Sequence, residues 1–169
     1  MHLREIIKAK NKTNVTIGPW TGEKPRRKDF PLSRKSGGAY PLTRKWRWTT
    51  VEFGIGSAKF TILVTYHIDL PEFRALLGEQ VSGDSCVLAR LEYHANHPHL
   101  GWHLHVNCED SSTLGAGMVK PLGQLRIPEV HERHRRSDYT LKDDSMNDNT
   151  ALDVPAAWFR FKHQTSFPI

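Results

Sequence analysis

Cysteine is scarce in this chain: Cys86 and Cys108 are the two present in 169 residues. Two thiols are too few for a disulfide framework, and Met1 to Lys12 carries no apolar leader or cleavage pattern. The expectation is therefore a pair of buried thiols in a reducing compartment, the cytoplasm. Long apolar runs are missing too. No stretch approaches the roughly 18 to 20 residues needed to span a bilayer, so membrane insertion is not expected. An internal repeat is likewise absent, which argues against a solenoid or propeller. Acid is almost missing from one region: between Lys24 and Arg47, Asp29 stands alone against nine lysines and arginines.

What is present fits one domain spanning 1–169, long enough to bury a core without disulfide or metal staples. The formal charge of +6 and the pI near 9.5 favour a polyanionic partner, because clustered cations gain affinity by releasing counterions condensed on a phosphate backbone. Residues 18–43 mix those cations with Gly18, Pro19, Gly22, Pro25, Pro31, Gly37, Gly38 and Pro41. That composition breaks helix and strand and reads as a basic loop or arm, with Arg26, Arg27, Arg34, Lys35 and Arg44 as candidate phosphate contacts. Trp46 and Trp48 interleave with Arg44, Lys45 and Arg47, a pattern that suits base stacking, although one face of a core strand accounts for both tryptophans equally well.

The strongest strand signal is Trp46 to Gly54 followed by Lys59 to Ile68, both rich in β-branched and aromatic residues and joined through Gly56 and Ser57 as a hairpin. Leu3 to Lys10 suits a short helix or an edge strand. Asp69 reads as an N-cap, with Leu70 to Leu77 helical and Gly78 ending that helix. Ser82, Gly83 and Asp84 form a turn into a second hairpin, Cys86 to His94 and Gly101 to Cys108. Residues 109–123 read as loop, 131–139 as a charged surface stretch, 142–150 as an acidic turn, and Val154 to Phe161 as a short helix or strand packing back on the sheet. The fold class expected is α+β: a small, mostly antiparallel sheet of four to five strands with two or three short helices.

Histidine is concentrated. Five of the ten, His94, His97, His99, His103 and His105, fall within twelve residues. Side chains alternate along a strand, so Trp102, Leu104 and Val106 share one face while His103, His105 and Asn107 share the other. By the same parity Val87, Ala89, Leu91 and Tyr93 point inward and Arg90, Glu92 and His94 outward, and antiparallel pairing can bring the two polar sets together. Such a face can move protons at a phosphodiester, with histidine as acid or base, Glu92 as base and Arg90 steadying a phosphorane-like state. No cofactor is required for that chemistry. Alternatively His103 and His105 hold a divalent metal ion, with Glu92 as a further ligand or base. A polar hairpin surface without chemistry is the plainest alternative, and the density of imidazoles weighs against it.

Two resemblances follow from these residues. The run Leu91 to Asn107 (LEYHANHPHLGWHLHVN), after a segment of the type KFTILVTYHIDLPEFRALL, is similar to the small histidine-rich toxins of bacterial toxin–antitoxin pairs, of the TumE-like kind. The likeness implies catalytic roles for His97, His99, His103 and His105 and a cognate antitoxin as partner. His103, Leu104 and His105 also resemble the metal-binding pair of HUH endonucleases, which implies a metal-dependent cut of single-stranded DNA with Tyr139 as nucleophile. The reading reached is a small basic ribonuclease toxin: catalytic His97, His99, His103, His105 and Glu92, with substrate held by Arg90, His94, Asn107 and the basic arm. Its rivals are the DNA endonuclease and a nucleic-acid-binding or inhibitor protein without catalysis.

Overall fold

A computed structural model of the protein describes residues 1–23, 42–81, 84–94, 101–106 and 146–163, with backbone pairing alone for 81, 84–86, 101 and 103–106. In chain order the elements are α1 (Leu3–Lys8), β1 (Thr13–Ile17), β2 (Trp46–Ile55), β3 (Ala58–His67), β4 (Phe73–Val81), β5 (Asp84–His94), β6 (Gly101–Val106) and α2 (Thr150–Phe159). The strands form one antiparallel sheet in sequential order, β1-β2-β3-β4-β5-β6. The α+β class is as the sequence suggests, with β1 as a strand the composition did not reveal. Among the described residues, no helix is long and apolar enough to cross a membrane.

Alternation along the strands builds two apolar layers. On the first face Val51, Phe53, Phe60, Ile62, Val64, Phe73, Ala75, Leu77, Leu91 and Trp102 pack with Leu3 and Ile6 of α1 and with Ala151, Leu152, Val154 and Phe159 of α2. On the second face Leu42, Trp46, Trp48, Leu63, Leu76 and Val87 form a smaller buried cluster. Both tryptophans are therefore core residues, and the Trp48 indole N–H donates to the Glu23 carbonyl. The β2–β3 hairpin turns through Gly56 and Ser57, and Gly56 takes φ +59, the positive value that a glycine-first two-residue turn demands.

Four expectations change. The helix read over Leu70 to Leu77 is the turn 68–72 and strand β4, where Phe73, Ala75 and Leu77 are buried on the first face and Arg74 and Leu76 lie on the second. Pairing with β3 and β5 on both sides overrides the local helical pattern. Asp69 caps nothing; it sits in the turn, paired to Lys45 at 2.9 Å. Val87 leaves the parity of Ala89, Leu91 and Tyr93, because Leu77 pairs with Ala89 and Gly78 with Val87, making Leu88 an extra residue. Residues 18–23, read as the start of the arm, run along β2: Gly18 N–H donates to the Thr50 carbonyl, and Thr21 and Trp48 exchange both backbone hydrogen bonds. The arm's remainder, including Arg26, Arg27, Arg34 and Lys35, lies outside the described residues.

The start of α2 is tied to the sheet by Asp148. Its carboxylate accepts from Arg47 Nε at 2.7 Å and Nη2 at 2.6 Å and from the Tyr66 hydroxyl at 2.7 Å. Burial pushes the Asp148 carboxyl up, and the Arg47 and Tyr66 hydrogen bonds outweigh it, leaving it below its ordinary range. A carboxyl depressed in the folded state stabilises above its unfolded value and loses that stabilisation as pH falls through the lower, folded value. Asp148→Asn is thus expected to melt below wild type near neutral pH, the gap closing below about pH 4. Thermal melts from about pH 7 to pH 3 check this; a gap constant with pH contradicts it.

Candidate functional site

The second face of the sheet carries a band of charge beside its apolar cluster. Strand pairing sets the rows. Thr65 of β3 pairs with Arg74 of β4, Arg74 with Glu92 of β5, and Glu92 with His103 of β6. In the adjacent row Leu63 pairs with Leu76, Leu76 with Arg90, and Arg90 with His105. His94 pairs with Gly101 at the end of the β5–β6 ladder. The sequence expectation that the hairpin would bring the Arg90, Glu92, His94 set opposite the histidine strand is thus realised in the backbone register.

Glu92 is the centre of the band. Only 6% of its side chain is exposed, and three cationic or ionisable groups surround the carboxylate. Arg90 Nη2 lies 3.0 Å from Oε2, Arg74 Nε 3.4 Å from Oε1, and His94 Nε2 3.6 Å from Oε2. Removing a carboxylate from water is costly, and two guanidiniums supply the compensating charge. Glu92 thus lies on the outward face that strand parity gives it, away from the helix-covered core, and its neighbours bury it there. Arg74, Arg90 and His94 remain partly open, at 22%, 19% and 27% of their side chains.

Aromatic groups extend the band toward β2. The Arg74 guanidinium carbon sits 4.8 Å from the Trp46 ring centroid, and Trp46 meets His67 edge-on at 5.3 Å. His67 is fixed in turn, its Nδ1 accepting the Asp69 backbone N–H at 3.1 Å. That bond makes the ring a structural element of the turn. Glu72 Oε2 approaches Arg74 Nη2 at 3.9 Å from the preceding turn.

Of the residues singled out in the sequence, Arg90, Glu92 and His94 converge, and His103 and His105 occupy the paired positions on β6. Arg44 is exposed in the turn before β2. His97, His99, Asn107 and Tyr139 lie outside the described residues. Arg74 was missed, because the segment was read as a helix; the alternation of Phe73, Ala75 and Leu77 around it was the available signal. Among the described residues no three His, Cys, Asp or Glu side chains form a metal-holding group. Comparison with family models, curated proteins and solved structures returns no match.

Proposed function

We propose that the protein cleaves RNA by transesterification at the band of charge on β4, β5 and β6. The observation that carries this reading is the register that sets Glu92, held by Arg90, directly opposite His103, with His105 opposite Arg90. In the reaction the ribose 2′-hydroxyl gives its proton to the Glu92 carboxylate, and the 2′ oxygen bonds to phosphorus. The P–O5′ bond breaks, and a protonated histidine of the β6 pair gives its proton to the departing O5′. Arg90 offsets charge gathering on the phosphorane oxygens. The products are a 2′,3′-cyclic phosphate and a 5′-hydroxyl. The basic segment between Lys24 and Arg47 would supply affinity for the backbone without sequence preference. The resemblance of the histidine-rich run to small toxins gives this reading its setting, a toxin with a cognate antitoxin as partner.

The test is cleavage of labelled single-stranded RNA and DNA by purified protein, with and without EDTA, against a His103→Ala/His105→Ala variant shown to be folded by circular dichroism. Loss of RNA cleavage by about 10²-fold or more in the variant, unchanged by EDTA, is the expected result. Cleavage abolished by EDTA, with a DNA adduct on Tyr139, would favour the metal-dependent endonuclease instead. Salt-sensitive binding without any cutting would leave a nucleic-acid-binding protein.

A further inference from the structure

We infer that Arg74 and Arg90 form a two-armed subsite for a phosphate oxyanion beside Glu92. This deepens the ribonuclease reading and rests on it for the natural ligand, the phosphodiester of RNA; the subsite itself is defined by the arginines.

Two buried donors lead to it. The Nε atoms of Arg74 and Arg90 are both shut off from solvent, and neither makes a hydrogen bond among the described residues. Arg74 Nε lies 3.4 Å from Glu92 Oε1, yet without hydrogen-bond geometry, and Arg90 reaches Glu92 through Nη2 at 3.0 Å. A buried N–H left without an acceptor is destabilising, more so on a charged group. Two arginines on adjacent strands that reach one carboxylate with donor capacity to spare, each still about one fifth open to solvent, point to an acceptor that arrives from outside.

Charge and geometry select the class of ligand. The Glu92 carboxylate offsets one of the two guanidiniums, and Glu72 reaches Arg74 only at 3.9 Å. His94 stands 3.6 Å from Glu92 on the same side. Guanidinium groups are planar forks matched to tetrahedral oxyanions, and both side chains stay partly open to solvent. Trp46 under the Arg74 guanidinium fixes one arm in place, which lowers the entropy lost on binding. A phosphate oxygen bound between the arms would put its phosphorus next to the Glu92 carboxylate and the strand that carries His103 and His105.

The experiment titrates inorganic phosphate into the full-length protein at low ionic strength by calorimetry. Wild type, Arg74→Gln, Arg90→Gln, Arg74→Lys and the exposed control Lys59→Gln are compared after melts confirm that each is folded. Expected are saturable binding to wild type and Lys59→Gln and about tenfold weakening in each arginine variant, the size of one charge-assisted hydrogen bond. Arg74→Lys keeps the charge without the fork, so it weakens too, and it serves if Arg74→Gln does not fold. No saturable phosphate binding to wild type, or equal affinity in the arginine variants, overturns the subsite. RNA cleavage measured on the same preparations separates the two ideas. Phosphate bound at the arginines without cleavage keeps the subsite and removes the nuclease, whereas cleavage with unaltered phosphate affinity does the reverse.

Discussion

Glu92→Gln is expected to lower RNA cleavage by about 10³-fold, the middle of the range for losing a positioned general base, and to lower the melting temperature in the same protein. The two effects have one origin. The carboxylate is almost wholly enclosed and is the counter-charge of Arg74 and Arg90, so its amide leaves two partly buried guanidiniums without that counter-charge. Removing one member of a fully buried ion pair costs roughly 3–5 kcal/mol; with the arginines still about one fifth open to water, about 2–3 kcal/mol is expected. For a chain of this length that is a fall of roughly 5–10 °C. Circular dichroism melts and gel-based cleavage below the melting transition check the two parts separately. Wild-type cleavage in the folded variant would remove Glu92 from the chemistry, and an unchanged melt would mean that the arginines do not depend on it.

Phe73→Ala is expected to be among the most damaging single substitutions, at about 3–5 kcal/mol. Phe73 has no exposed surface, pairs with Tyr66 and Tyr93 on the flanking strands, and meets Trp102 at 5.5 Å with ring planes 62° apart. Truncation empties a space that four strands close, and a sheet interior paired on both sides cannot collapse to refill it. Ile68, six residues earlier in the chain than Arg74 and exposed at 54%, is the control; Ile68→Ala should stay within about 0.5 kcal/mol. Urea unfolding monitored by fluorescence reads both. A loss for Phe73→Ala no greater than the control's would contradict a β4 buried in the middle of the sheet.

The same segment explains what sequence could and could not reveal. The hairpins β2–β3 and β5–β6 were legible because β-branched and aromatic residues alternate with turn residues between them. That His103 and His105 share a face with Arg90, Glu92 and His94 followed from strand parity, whereas the register that pairs them individually did not. Strand β4 was hidden because Leu70 to Leu77 also satisfies a short helical stripe after a capping aspartate, and only its two neighbours decide between them. Arg74 vanished with it. Burial of Glu92 was illegible for another reason: parity names a face, not what stands around it. Two guanidiniums from different strands close over the carboxylate, a tertiary fact. The Leu88 bulge likewise depends on how β5 meets Gly78. Beyond it the alternation is restored, so the parity argument held where the charged residues lie.

Sequential strand order has a consequence for when the site exists. Each strand beyond the first can add to an edge already laid down, so the sheet can grow in the order of synthesis, and β6 joins last. Until it does, Glu92 and Arg90 stand on a finished template with no histidine strand beside them. Among the described strands β6 also has one neighbour where β2 to β5 have two, and edge elements are the first to open in a folded protein. Peeling that single strand would disarm the site while leaving β2 to β5 paired. On the ribonuclease reading proposed above, a partner protein that captured the loosened strand would silence the molecule without unfolding it, and release would rearm it without resynthesis.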